Sequence, residues 1–416
     1  MTYDLVVRDA RRLDGRVVSI GVRGDTIAAV TDGRLDGPNV IDAAGAIVTE
    51  SFVDGHLHLD KVFTLSRVGD AALDEYTAGS MGSAMTAIET ARQVKADYDR
   101  GWISENVRRA MLESVRHGVL HMQAFVDVDT TAQLEGLQGV LAARDELSHL
   151  LDVQVVAFPQ DGVLRDPGAA ELCEQALELG ADVVGGIPWI EHSDRDAQRH
   201  IDWACDLAQR MGRRVAMLVD DAGDPSLRTT EMLAVALLER GLVGRGVACH
   251  ARAVATYAQP SQLRLAGLAK RAGLAFVSDP QTGPVHLPVE LFDELGVAVA
   301  LGQDDIEDAY YPFGRHSMLE VAFLAAHSLG WLSAPRQRRL IDLISTRAAD
   351  VLGIDGHRLE EGRVANFVVH GHERLVDVLR EHAAPRWVVS RGVVAAATTS
   401  STEFHDSITS VPPVSA

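Results

Sequence analysis

No run in this sequence stays apolar for the twenty or so residues that a bilayer crossing takes, so no membrane span is expected. Cysteine is scarce. Cys173, Cys205 and Cys249 are scattered without Cys-x-x-Cys spacing, which argues against a disulfide framework or a thiolate metal site. Met1-Thr2-Tyr3-Asp4 leads straight into strand-like sequence with no signal pattern, so a reducing, cytoplasmic setting is the default expectation. Positive charge is also short: 39 Lys and Arg stand against 59 Asp and Glu, a net charge of −20. A field of that sign repels phosphate backbones and anionic lipid heads, which disfavours nucleic acid and membrane as partners. Aromatic residues, at 5%, offer no platform for stacking bases. No glycine-rich phosphate loop follows the first long apolar strand, which counts against an open doubly wound sheet.

What is present is ordinary globular composition arranged in two textures. Apolar residues make up 47% and charged residues 24% of 416, enough for a barrel and one small annex. Residues 1–47 alternate short β-rich runs with the turn signals Asp14-Gly15, Arg23-Gly24 and Asp32-Gly33. The same texture returns over 351–397, in Asn366-Phe367-Val368-Val369 and Arg386-Trp387-Val388-Val389. Both termini are therefore expected to build one small β-sandwich, with 398–416, rich in Ser, Thr and Pro, as a loose tail. Between them, over 48–350, eight β-branched apolar runs alternate with amphipathic helical segments such as 169–179 and 261–272. The runs are 47–58, 120–128, 153–160, 182–188, 214–220, 246–250, 274–278 and 297–304. This is the pattern of a (β/α)8 TIM-type barrel.

In such barrels the chemistry gathers where strands end. The first strand ends in Asp54-Gly55-His56-Leu57-His58-Leu59-Asp60-Lys61. Residues two apart in a strand share a face, so His56 and His58 present two imidazoles to one point, a donor pair suited to a divalent transition metal. The bland alternative is two unrelated histidines on a half-buried strand. Other strand ends carry Asp127, Gln160, Trp189 and Glu191, Asp220 and Asp221, His250, Asp279, Asp304 and Asp305. One such residue reads as a cap; a polar group at nearly every strand end describes a polar pocket. Lys61 reads as a salt-bridge partner, with nothing to indicate a carboxylated lysine or a second metal. Cys249 should pack outward if His250 points inward. His286 and His316 read as surface or hydrogen-bonding residues, and His370-Gly371-His372 as a turn.

The order His-x-His on strand 1, a lone histidine on strand 6 and an aspartate on strand 8 resembles the amidohydrolase superfamily. Within it the chain looks like the cytosine deaminase branch, which includes aminohydrolases of triazines and related N-heterocycles. The matching phrases are Val156-Ala157-Phe158-Pro159-Gln160-Asp161-Gly162, Gly180-Ala181-Asp182-Val183-Val184-Gly185-Gly186-Ile187-Pro188, and Gly302-Gln303-Asp304-Asp305 followed by Tyr311-Pro312-Phe313-Gly314. The resemblance covers about residues 4–395. It implies His56, His58 and Asp304 as ligands of one divalent metal (zinc or iron), His250 as an orienting group and Gln160 as a clamp on the substrate. Trp189, Tyr310, Asp305 and Phe125 complete the expected substrate pocket. Relatives of this kind often form homo-oligomers.

Strand 5 departs from that pattern. The family phrase reads roughly His-x-x-Glu followed by Asp-Pro, whereas this chain has Met217-Leu218-Val219-Asp220-Asp221-Ala222-Gly223-Asp224-Pro225. Anchored on Pro225, Leu218 stands at the metal histidine and Asp221 at the proton-shuttling glutamate. Leucine cannot coordinate, and aspartate draws the carboxylate back by about 1–1.5 Å, a displacement that can cost on the order of a hundredfold in rate. On strand 2, Phe125 stands where a histidine is common. Three readings follow. The first is an amidohydrolase acting on a C–N bond of a small N-heterocycle or cyclic amide other than cytosine, with a weakened metal site and catalytic residues Asp221, His250 and Asp304. The second is a metal-free enzyme using the same pocket for acid–base chemistry. The third is a non-catalytic ligand-binding relative.

Overall fold

Eight strands in sequence order carry the molecule: β6 (Phe52–His58), β7 (Val119–Asp127), β8 (Asp152–Phe158), β9 (Val183–Gly186), β10 (Arg214–Val219), β11 (Gly246–His250), β12 (Ala275–Ser278) and β13 (Val299–Leu301). Each pairs in parallel with the next. The structure, a computed structural model, describes residues 2–68, 92–283 and 285–403. The barrel closes just beyond β13, where Asp304 bridges to Leu57. There the His58 N–H donates to the Asp304 carbonyl (2.9 Å) and the Asp304 N–H to the His56 carbonyl (2.8 Å). This is the TIM-type architecture that the alternation of strands and helices implied.

Strand alternation sorts the apolar residues into two layers. Val53, Phe125, Val156, Phe158, Ala216, Leu218, Val247, Val277 and Ala300 fill the barrel. Met122, Ala124, Val126, Met217, Val219, Ala248 and Phe276 face the surrounding helices. These helices start and stop on local signals. Asp194–Met211 begins with Ser193 accepting from the Asp196 N–H and ends on left-handed Gly212; Gln259–Ala272 ends on left-handed Gly273. Helix Thr346–Leu352 packs Ala348, Ala349, Val351 and Leu352 into the inner layer. With Val351 and Leu352 carbonyls accepting from Arg214 and Gln154, it plugs the end where the strands begin.

The two terminal segments form the small domain. β1 (Leu5–Arg11), β2 (Val17–Arg23), β3 (Thr26–Thr31) and β4 (Asn39–Asp42) make one sheet; β5 (Val48–Glu50), β14 (Phe367–Val369), β15 (Trp387–Ser390) and β16 (Val393–Ala397) make the other. Leu5, Val7, Ile20, Ile27, Val48, Phe367 and Val389 share the core between them. The apolar run 47–58 is thus two strands, because β5 pairs antiparallel with β14 while β6, after Ser51, opens the barrel. The tail beyond 403 lies outside the described residues.

Cys249 corrects a sequence expectation. It belongs to the inner layer with Leu218 and Val277, and His250 nevertheless reaches the mouth because its own backbone turns left-handed, φ 66°. Alternation fails at the residue where the strand ends. His316 is fully buried, its Nε2 3.0 Å from Asp54 Oδ2, so it is no surface residue. Among the described residues no helix is long and apolar enough to cross a membrane.

Candidate active site

A bulge sets up the first two histidines. β6 carries one extra residue between Asp54 and Leu57 relative to β7, so Val53 faces inward before the bulge and His56 and His58 face inward after it. The Asp54 carboxylate pins the bulge by accepting from the His56 N–H (3.1 Å) and the Gln303 N–H (3.0 Å). Phe125 supports both rings from β7, 4.4 Å from the His56 centroid and 5.9 Å from that of His58.

Three imidazoles surround one carboxylate oxygen. Asp304 Oδ1 lies 3.1 Å from His56 Nε2, 3.8 Å from His58 Nε2 and 3.9 Å from His250 Nε2. Asp304 also holds left-handed backbone, φ 63°. A non-glycine residue in that region costs about 1–3 kcal/mol, which the surrounding structure must outweigh. Asp279 Oδ2 orients His250 through Nδ1 at 3.2 Å. Burial works against the charged ring of His250, but Asp221 and Asp304 outweigh it and push its pKa up to about 9. Burial likewise opposes ionised Asp304, yet His250, His56 and His58 hold it well below the usual carboxylate range. His58 goes the other way: burial, helped by the charge of Lys61, drives it well below an ordinary imidazole.

The donor set fits a metal. His56, His58 and Asp304 bring ligand atoms within 4.8 Å of one another. Two imidazoles and a carboxylate match a catalytic divalent site with three protein ligands and an open position. His58, Asp60 and Asp127 also cluster, but the Lys61 ammonium, 2.8 Å from Asp127 Oδ1, already supplies a cation there.

At the mouth where the strands end is a cleft lined by His58, Gln160, Ile187, Trp189, Leu218, Asp221, His250, Asp304, Asp305 and Tyr310. His56 and Phe125 lie beneath it. Leu218 contributes a dry wall. Asp220 and Asp221, adjacent in sequence, part company. Asp220 turns away (φ 48°) and accepts from the N–H and hydroxyl groups of Thr229 and Thr230 and from the Tyr257 hydroxyl. Asp221 faces the cleft, with Oδ1 2.7 Å from Arg252 Nη1 and 3.8 Å from His250 Nδ1. On the substrate side Lys61 donates to Asp127 Oδ1 and, at 3.2 Å, to Gln160 Oε1. An ammonium cannot accept, so the Gln160 amide oxygen faces Lys61 and its N–H groups are left for the cleft. The Trp189 indole N–H is buried with no hydrogen-bond partner among the described residues. Burial, with Asp304 and Asp308 alongside, pushes Asp305 well above the carboxylate range.

The sequence profile of the amidohydrolase family matches residues 39–396. The chain belongs to the amidohydrolase family. It is 30% identical over 382 residues to the N-isopropylammelide isopropyl amidohydrolase of Pseudomonas sp. (strain ADP), spanning 88% of this chain and 91% of that protein. The 5-methylcytosine deaminase of Klebsiella pneumoniae liganded with 5-fluorocytosine superposes with a TM-score of 0.88 at 27% identity, covering 97% of this chain and 100% of the other. The N-isopropylammelide isopropylaminohydrolase of Burkholderia multivorans gives a TM-score of 0.82 at 25% identity, covering 96% and 100%. Fold and sequence together put this amidohydrolase in the cytosine deaminase-like branch, among hydrolases of non-peptide C–N bonds.

Two residues of the site escaped the sequence reading. Arg252 and Thr282 sit within the carboxylate cluster of this amidohydrolase, yet neither lies on a strand or in a ligand-like spacing. The one available signal for Arg252 was a basic residue two positions beyond His250, in a chain short of positive charge.

Proposed function

We propose that this amidohydrolase hydrolyses a C–N bond of a small planar N-heterocycle or cyclic amide other than cytosine, with one divalent metal at the barrel mouth. The observation that carries the reading is the ring of three imidazole nitrogens around Asp304 Oδ1. His56, His58 and Asp304 would hold the metal, which when bound supplies Lewis acidity and acidifies a water at neutral pH. The chain's own residues do the rest. His250, oriented by Asp279, donates a hydrogen bond to the oxygen that develops at the attacked amidine-like or carbonyl carbon. Asp221 takes the proton of the attacking water and returns it to the leaving nitrogen. Gln160 offers N–H donors to an acceptor on the ring, and Trp189 and Tyr310 hold its plane. Leu218 excludes water from the wall that a strand-5 ligand would occupy. Cytosine is a poor fit because Asp221 is one methylene shorter than the shuttling glutamate of that branch, and Phe125 offers its cavity no polar atom.

Elemental analysis of protein purified without chelator, paired with amine or ammonia release from a panel of N-heterocycles, tests this reading. One equivalent of zinc, iron or manganese, with turnover that vanishes on chelation and returns with metal, is the expected outcome. Full turnover by metal-free protein would transfer the reaction to acid–base chemistry by the same residues. Leu218 and the Arg252–Asp221 ion pair are what keep that second reading in play.

A further inference from the structure

Arg252 sits in the midst of the acidic residues at the mouth. It opens the short turn Arg252–Thr256 after β11, and the left-handed backbone of His250 and Ala251 (φ 66° and 46°) swings its side chain into the site. That side chain is only 6% exposed, with Nη1 2.7 Å from Asp221 Oδ1. Nη2 donates to Thr282 Oγ1 at 2.7 Å and lies 3.9 Å from Asp304 Oδ2. Thr282 in turn donates to Asp304 Oδ2 at 2.8 Å, so the guanidinium reaches Asp304 both through space and through the threonine. Gly283 makes room for it: a Cβ there would lie 2.8 Å from Arg252 Cζ.

We infer that Arg252 is a resident counter-cation, a positioning residue that fixes Asp221 and Asp304 and sets how tightly the histidine–aspartate set holds a divalent ion. The inference rests on the single-metal reading above. Asp304 is a ligand in that reading, and its second oxygen is already partly neutralised by the guanidinium and threonine. A fixed positive charge this close to a dication is not screened in a buried site. The same guanidinium occupies Asp221, the carboxylate otherwise placed to stand in for the donor missing at Leu218. Two departures thus act in one direction: Leu218 removes a ligand, and Arg252 ties up the neighbouring acid. The result is a site that holds its metal less tightly than the same three ligands would without the arginine.

The test is metal affinity, which needs no substrate. The full chain is stripped with chelator and titrated calorimetrically with zinc, and separately with cobalt followed by its visible spectrum. Arg252→Gln removes the charge and keeps a donor; it should bind metal about tenfold more tightly than the parent, because a fixed positive charge no longer repels the dication. Arg252→Lys keeps the charge but not the fork, and its affinity should lie closer to the parent's than to that of the glutamine variant. Asp221 is 14% exposed at the cleft, so water can reach it once the arginine is gone. Arg252→Met is a second uncharged variant should the glutamine protein fail to fold, with folding checked by circular dichroism. Uncharged variants that bind no tighter than the parent, or a lysine variant that tightens as much as glutamine, would overturn the inference while leaving the metal reading intact. If parent, Arg252 variants and Leu218→His all take up no metal, the metal reading falls and the counter-cation role with it.

Discussion

Leu218 faces the barrel interior at the height of the histidines and lines the cleft with His58, His250 and Asp304. An imidazole there would add a fourth nitrogen or oxygen donor without enlarging the side chain much. Leu218→His should therefore bind zinc more tightly, by about tenfold or more on the scale of ligand-supporting groups, and gain some deaminase activity. Calorimetric titration decides it; an unchanged affinity would mean that strand 5 has been anchored on the wrong residue. At this scale the clustering of His56 and His58 was readable because they obey the simplest rule of strand geometry, a spacing of two. Arg252 was not, since its partners Asp221, Thr282 and Asp304 come from three other places in the chain.

Adjacent acids at the end of β10 separate structure from chemistry at the scale of elements. Asp220 holds the start of helix Thr229–Glu239 through the first two threonines and ties Tyr257 to it, while fully buried. Asp220→Ala strands those donors, and the loss should be about 3–4 kcal/mol, more than a surface cap because several charge-assisted bonds vanish at once. Denaturant unfolding at neutral pH measures it, and a loss under about 1 kcal/mol would mean the helix start is held by other contacts. Period and composition revealed the strands and helices, down to helix Ala169–Leu179. They were silent on the bulge in β6 and on the left-handed turns at Asp220, His250 and Asp304, because the enrichment of Asp and His at positive φ is too weak a signal to place a turn. Those turns decide which of two neighbouring side chains enters the site, so Cys249 and Asp220 were misassigned or left open by alternation alone.

Across the whole molecule, the terminal β domain docks on the side where the strands begin. His357 Nε2 lies 2.8 Å from the Ser51 carbonyl, and Ser390 donates to the Leu150 carbonyl at 2.6 Å. His370, buried beside Thr49 Oγ1 at 3.1 Å, belongs to this junction. Burial, with the neighbouring His372 adding to it, pushes its ring from 6.5 down to about 3. As pH falls the unfolded chain takes up that proton first, so the stability present above about 6.5 is lost progressively toward 3. The loss is about 2 kcal/mol between pH 7 and pH 5. His370→Gln keeps a partner for Thr49 and cannot titrate, so its unfolding free energy should drop less than the parent's over that interval. Equal drops would remove His370 from the acid response.

The way the barrel closes has a consequence for how the enzyme comes into being. Asp304 pairs its main chain with His56 and His58 while its side chain meets their rings, so the first and last staves of the cylinder are joined at the candidate site. On the proposed mechanism, a chain still emerging from the ribosome would have no catalytic centre, however well its first seven strands had folded. Completion of the architecture and birth of the activity would then be one event, and an ion shared by His56, His58 and Asp304 would rivet the two ends together.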